Sequence, residues 1–106
     1  MRVLFDQGTP EPLRHLLTKH EVATAFERGW SKLTNGELLE AAEKEGYAVF
    51  VTTDSNLKYQ QKIPRRRLAI VVLSTPSWPR IQRSSASIVR AIGQATAGSY
   101  AEVVVP

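Results

Sequence analysis

The chain has 106 residues, 42% hydrophobic and 23% charged, with a net charge of +4 and no cysteine. That length suits a single domain (1–106) around one hydrophobic core, and the composition argues against a disordered chain. The lack of cysteine excludes disulfides, thiolate metal sites and a thiol nucleophile, and it fits a reducing cytoplasm.

No apolar run is longer than a strand, so no membrane association is expected. Met1 leads straight into Arg2-Val3-Leu4-Phe5 without a signal-peptide pattern, and a cytoplasmic location is the expectation. Charge is uneven along the chain. Residues 1–54 carry six Lys/Arg against nine Asp/Glu, a balance of −3; residues 55–106 carry eight Lys/Arg against Glu102 alone, a balance of +7. Such a split suggests a polyanion-binding surface beside a carboxylate cluster, although chance segregation of solvated charges explains it equally well.

Val3-Leu4-Phe5 reads as a short buried strand closed by Asp6, Gln7 and Gly8. Thr9 and Pro10 read as an N-cap followed by proline in the first helical position. Leu13, Leu16 and Leu17 follow at helical spacing, which predicts a helix near 10–19. A second strand is expected at 21–25, and residues 26–34 read as a loop. Thr34-Asn35-Gly36-Glu37 starts a helix with Leu38, Leu39, Ala41 and Ala42 on its core face and Gly46 as its stop. Residues 47–53 are the clearest strand, apolar on both faces as in a parallel strand covered from each side.

Residues 55–62 read as a short polar helix ended by Pro64. Arg65-Arg66-Arg67 precedes another apolar run, 68–73, the next strand. Pro76-Ser77-Trp78-Pro79 reads as a turn. A last helix is expected from about Arg80, with Ile81, Ser85, Ile88, Val89 and Ile92 on one face and Gly98 as its end, and 103–105 are expected as an edge strand. The alternation predicts an α/β fold: a three-layer sandwich with right-handed crossovers and a mainly parallel central sheet of four or five strands. In such sheets ligands bind beyond the carboxyl ends of the strands, where Asp6 and Asp54 would both lie if their strands are neighbours.

Strand-end carboxylates are hard oxygen ligands suited to Mg²⁺ or Mn²⁺, which can activate water and neutralise charge on a phosphodiester. Glu37 and Glu40, from the helix beginning near residue 35, are candidate third acids, with Glu37 the nearer to the strand ends. Each acid also has a purely structural reading. Asp6 can accept from the amides of residues 7–9, Asp54 can cap the helix at Ser55, and Thr34-x-x-Glu37 matches a capping box.

Three segments together resemble the PIN-like domains of the DUF5615 group, relatives of PIN-domain toxin ribonucleases. They are Met1-Arg-Val-Leu-Phe-Asp6-Gln, the Asn35-Gly-Glu37-Leu-Leu helix start, and Phe50-Val-Thr-Thr-Asp54-Ser-Asn-Leu-Lys-Tyr-Gln-Gln61. The resemblance spans roughly residues 1–80. It implies a PIN-like nuclease in which Asp6, Glu37 and Asp54 are catalytic and hold Mg²⁺ or Mn²⁺. The usual position of the middle acid carries Asn35, leaving Glu37 as the nearest carboxylate. A fourth acid is missing unless Ser55 or Asn56 takes its place.

Lys58, Tyr59, Lys62, Arg65, Arg66 and Arg67 follow Asp54 and could hold an RNA backbone, phosphates against the cations and a base on the tyrosine. The alternative for 65–67 is a polar lead-in to a buried strand. Trp30 and Trp78 read as core or loop plugs, His15 and His20 as surface or helix-end residues. Ser84, Ser85 and Ser87 lack a His–Asp pattern, and no Gly-rich phosphate loop is present. The leading expectation is a metal-dependent endoribonuclease, the toxin of a toxin–antitoxin pair, with RNA and an antitoxin-like protein as partners. The alternative is a catalytically impaired binding module for RNA or a partner protein. The resemblance also implies a homodimer.

Overall fold

Val3, Leu4 and Phe5 are all fully buried, because strand β1 (Arg2–Phe5) lies inside the sheet with a neighbour on each side. A computed structural model describes residues 1–57 and 67–106. It contains a sheet of β1, β2 (Glu21–Thr24), β3 (Val49–Thr52), β4 (Ala69–Leu73) and β5 (Tyr100–Val103). The strand order is β2-β1-β3-β4-β5 and every pairing is parallel. The expected helix at 55–62 lies largely outside the described residues, as do Lys58, Tyr59, Lys62, Arg65 and Arg66.

Successive strand residues point to opposite faces, and both faces are apolar. Val3, Phe5, Val49, Val51 and Val71 pack on one side beneath Leu13, Ile81, Ile88 and Ile92. Leu4, Phe50, Ile70 and Val72 pack on the other beneath Leu38, Leu39 and Ala42 of helix α1 (Asn35–Lys44). This is the three-layer α/β sandwich expected from the alternation of elements. Each fully buried Val, Leu, Ile or Phe stabilises it by roughly 1.5–3 kcal/mol relative to exposure. Among the described residues no helix is long and apolar enough to cross a membrane.

Several elements differ from their sequence expectations. The first helix is a 3-10 helix, Glu11–Leu16, with Pro10 rather than Thr9 at its N-cap. Pro10 and Pro12 withhold two amide donors from a short segment, and Leu13 and Leu17 reach the core while Leu16 stays exposed. The expected turn at 76–79 instead opens helix α2 (Trp78–Arg83), with Ser77 as N-cap and Pro79 in the first turn, a position proline tolerates. The long C-terminal helix is two helices: Ser84 (φ −108°, ψ 18°) interrupts it before α3 (Ser85–Gly93). Gly98, at φ +75°, lies in the turn that leads into β5 and not at the helix end, and the edge strand runs over Tyr100–Val103 rather than 103–105.

The crossovers also depart from a single hand. The 3-10 helix between β1 and β2 covers the same face as α2 and α3 between β4 and β5. The first of these connections moves one way across the sheet and the second moves the other way. They therefore have opposite hands, and the uniform right-handedness expected from sequence does not hold.

Candidate functional site

β1 and β3 are neighbours, paired through Phe5 and Val51, so the residues after them emerge side by side at the carboxyl edge. The chain leaves β1 toward the face of Leu13 and Leu17. It leaves β3 toward the other face, where Leu57 is buried. Diverging exits of this kind open a crevice between adjacent strand ends, the usual ligand position in open parallel sheets.

Both predicted aspartates stand at that crevice. The Asp6 amide donates to Val51 O at 3.1 Å, which continues the ladder by one residue. Its Oδ1 accepts from the Thr9 amide at 3.0 Å and lies 2.7 Å from the Thr9 hydroxyl. Its Oδ2 accepts from the Thr52 hydroxyl at 2.5 Å. The same Thr52 oxygen accepts from the Asp54 amide at 3.1 Å, so one hydroxyl joins the two acids. Asp54 Oδ1 accepts from the Asn56 amide at 3.0 Å, and Oδ2 accepts from Asn35 Nδ2 at 3.0 Å. Asp6 thus holds its own turn as its structural reading expects, and Asp54 holds the turn at Ser55 and Asn56; the helix Asp54 is expected to cap lies largely outside the described residues.

Glu37 is placed differently. Its Oε1 accepts from the Thr34 amide at 2.9 Å, and its own amide donates to Thr34 Oγ1 at 3.3 Å, completing the capping box. The hydrogen bond from the Thr34 backbone, then that with its side chain, holds the Glu37 carboxyl below the usual carboxylate range. Glu37 lines a separate shallow depression with Glu40 and Lys44. Among the described residues no group of three or more His, Cys, Asp or Glu is gathered closely enough to hold a metal ion. The set Asp6, Glu37, Asp54 is not assembled, and what reaches Asp54 from α1 is the Asn35 carboxamide.

The two aspartates can still accept a cation. An ionised carboxylate offers roughly four lone-pair sites. Among the described residues three donors surround Asp6 and two contact Asp54, which leaves each with room there for a further partner. A pair of carboxylates completed by water and substrate phosphate is the ordinary protein contribution to a Mg²⁺ site.

Arg67, the one member of the expected basic stretch that is described, lies elsewhere. Its amide donates to Glu43 Oε1 at 2.9 Å and its carbonyl accepts from the Gly98 amide at 2.8 Å. Both partners sit at the amino edge of the sheet, one β4 length from the acids, or about 15 Å at strand rise. Arg67 reads as the polar lead-in to β4. His20 is half-buried at the same edge, with Nδ1 3.5 Å from the Met1 amine. Burial, then the terminal charge, lowers its pKa.

Two depressions flank Asp6. A small one of about 160 Å³ is lined by Asp6, Gly8, Trp30, Asn35 and Leu38. A larger cleft of about 550 Å³ is lined by Asp6, Gly8, Thr24, Phe26, Pro76 and Trp78. Gly8 forms the shared rim, and a Cβ there would meet Thr53 Oγ1 at 2.6 Å. Sequence reasoning had missed Thr9, Thr52, Phe26 and Trp78 as site residues. A hydroxyl as the last residue of a buried strand, directly before Thr53-Asp54, was the available signal for Thr52. No protein-family model, curated protein or solved structure matches the chain.

Proposed function

We propose that the chain is a metal-dependent endoribonuclease of PIN-like type that uses Mg²⁺ or Mn²⁺, and that it acts as the toxin of a toxin–antitoxin pair. The toxin role rests on the sequence resemblance alone. The observation that carries the nuclease reading is the linkage of Asp6 to Asp54 through Thr52 at the crevice between β1 and β3. Asp6 and Asp54 would hold the ion. When bound, such an ion supplies charge neutralisation at the phosphodiester and a more acidic water. Thr9 and Thr52 fix the Asp6 carboxylate, and Asn35 fixes that of Asp54. Preorganised acceptors of this kind need not reorient as substrate arrives.

Incubation of mixed single-stranded RNA with Mg²⁺ or Mn²⁺ tests the reading. Cleavage by the native chain, abolished by Asp6→Asn and by Asp54→Asn, is the expected result. Cleavage unchanged in both variants sinks the mechanism.

One observation favours a second reading, an impaired binding module for RNA or a partner protein. Glu37 is engaged in its cap, and an amide stands against Asp54 where the resemblance puts an acid. No heat of Mn²⁺ binding, together with unchanged RNA or partner binding in the Asp6→Asn/Asp54→Asn double variant, would select this reading over the nuclease.

A further inference from the structure

Phe26 keeps 76% of its surface exposed, although the backbone around it is tightly tied. The Ala25 amide donates to Phe5 O at 2.8 Å, and the Thr24 amide donates to Glu27 Oε1 at 2.9 Å. Arg14 grips both Glu27 oxygens, at 2.8 and 3.0 Å, and donates to Val22 O at 2.7 Å. A single exposed apolar residue signifies little in itself. Phe26, however, is a ring on a fixed loop at the wall of the 550 Å³ cleft, with Trp78 and Pro76 also in the lining and Asp6 beside them.

We propose that this cleft is a stacking subsite for one unpaired nucleobase of an RNA strand, the base lying against Phe26 and Trp78 while the backbone passes Asp6. The choice of ligand rests on the nuclease reading; the shape and chemistry of the cleft are independent of it. A volume of about 550 Å³ lies within the range of small-ligand pockets and admits a single nucleotide. Among the described residues the cleft lining holds no Lys or Arg to bind a phosphate, and Glu11 in it is already paired with Arg14 at 3.0 Å, so the aromatic wall marks the ring as the part that enters. Aromatic faces accept any base by stacking, and loss of one platform weakens binding by on the order of ten- to a hundredfold.

The test uses the full chain with Trp30→Phe, which leaves Trp78 as the sole tryptophan, in EDTA so that no metal or turnover is needed. An adenosine hexaribonucleotide should quench Trp78 fluorescence, and a hexamer of abasic sugars should not. Phe26→Ala should raise the dissociation constant on the order of ten- to a hundredfold, whereas Phe26→Tyr should bind as the parent does. Equal quenching by the abasic strand overturns the subsite, as does unchanged affinity in Phe26→Ala. Quenching by arginine amide but not by the hexamer also overturns it, marking a pocket for a cationic side chain instead. The two proposals fail separately. Binding that depends on Phe26 without cleavage in Mg²⁺ or Mn²⁺ removes the nuclease and keeps the subsite. Cleavage whose KM ignores Phe26 does the reverse.

Discussion

The Asn35 carboxamide donates to Asp54 Oδ2 at 3.0 Å, which ties the first turn of α1 to the loop after β3. Facing a carboxylate, only the NH₂ end of an amide is attractive, so the orientation of Asn35 is set by Asp54. The contact gives Asp54 a donor from α1, so the helix start and the loop after β3 are held by an attractive hydrogen bond.

Asn35→Asp is therefore expected to change both stability and metal dependence. It replaces an attractive contact by like charges, a loss of about 1–3 kcal/mol when a part-buried acceptor is left unpaired. An acid in the first turn of a helix recovers roughly 0.3–1 kcal/mol from the helix dipole, too little to offset it. Thermal unfolding should show a lower Tm than the native chain in EDTA and a larger rise on adding Mn²⁺. Equal Mn²⁺ shifts in the two proteins would show that Asn35 does not stand at the cation position.

Thr52→Val tests the hydroxyl that joins the acids. Valine keeps the shape of threonine in a fully covered strand, so the change isolates the oxygen. Asp6 Oδ2 loses a donor and the Asp54 amide loses an acceptor. A destabilisation of about 1–3 kcal/mol by urea unfolding is expected, with Thr52→Ser recovering most of it. If valine costs no more than serine, the bridge contributes nothing to the fold.

The positions of Asp6 and Asp54 were legible because strand ends are: an apolar run bounded by a polar residue marks where a parallel strand leaves the sheet. The Thr34–Glu37 cap was legible for a similar reason, its signature being local in the chain. What joins these pieces was not. Thr52 touches Asp6 across 46 positions and Asn35 touches Asp54 across 19, and no periodicity encodes such contacts. The 3-10 helix and the break at Ser84 escaped too, since spacing of leucines and isoleucines reports which side is buried, not how tightly the backbone turns. Arg67 follows Asp54 in the basic stretch by sequence, yet it lies at the amino edge of the sheet, where β4 begins.

Gly8 is needed for closeness and not for a special backbone angle. A Cβ there would lie 2.6 Å from Thr53 Oγ1, well inside contact distance. Gly8→Ala should destabilise the chain by about 1–3 kcal/mol, the usual cost of overpacking. Adding Thr53→Ala removes the opposing oxygen, and the double variant should recover much of the loss. Strict additivity in that double-mutant cycle would mean that the strain lies elsewhere.

The capping box gives the last prediction, on pH. Thr34→Ala removes the acceptor for the Glu37 amide and should cost about 0.5–2 kcal/mol. Glu37→Gln keeps an oxygen for the Thr34 amide but removes the charge, so it isolates the ionised form. The folded pKa of Glu37 is depressed by its bonds to Thr34, so ionisation favours folding. That contribution is complete above the usual glutamate range and is lost as pH falls through the lower, folded pKa. The native chain should therefore exceed Glu37→Gln in stability at neutral pH, and the gap should close on acidification. Urea unfolding of both proteins from neutral to acid pH measures the gap directly. A difference that stays constant down to strong acid would show that the carboxylate charge takes no part in holding the start of α1.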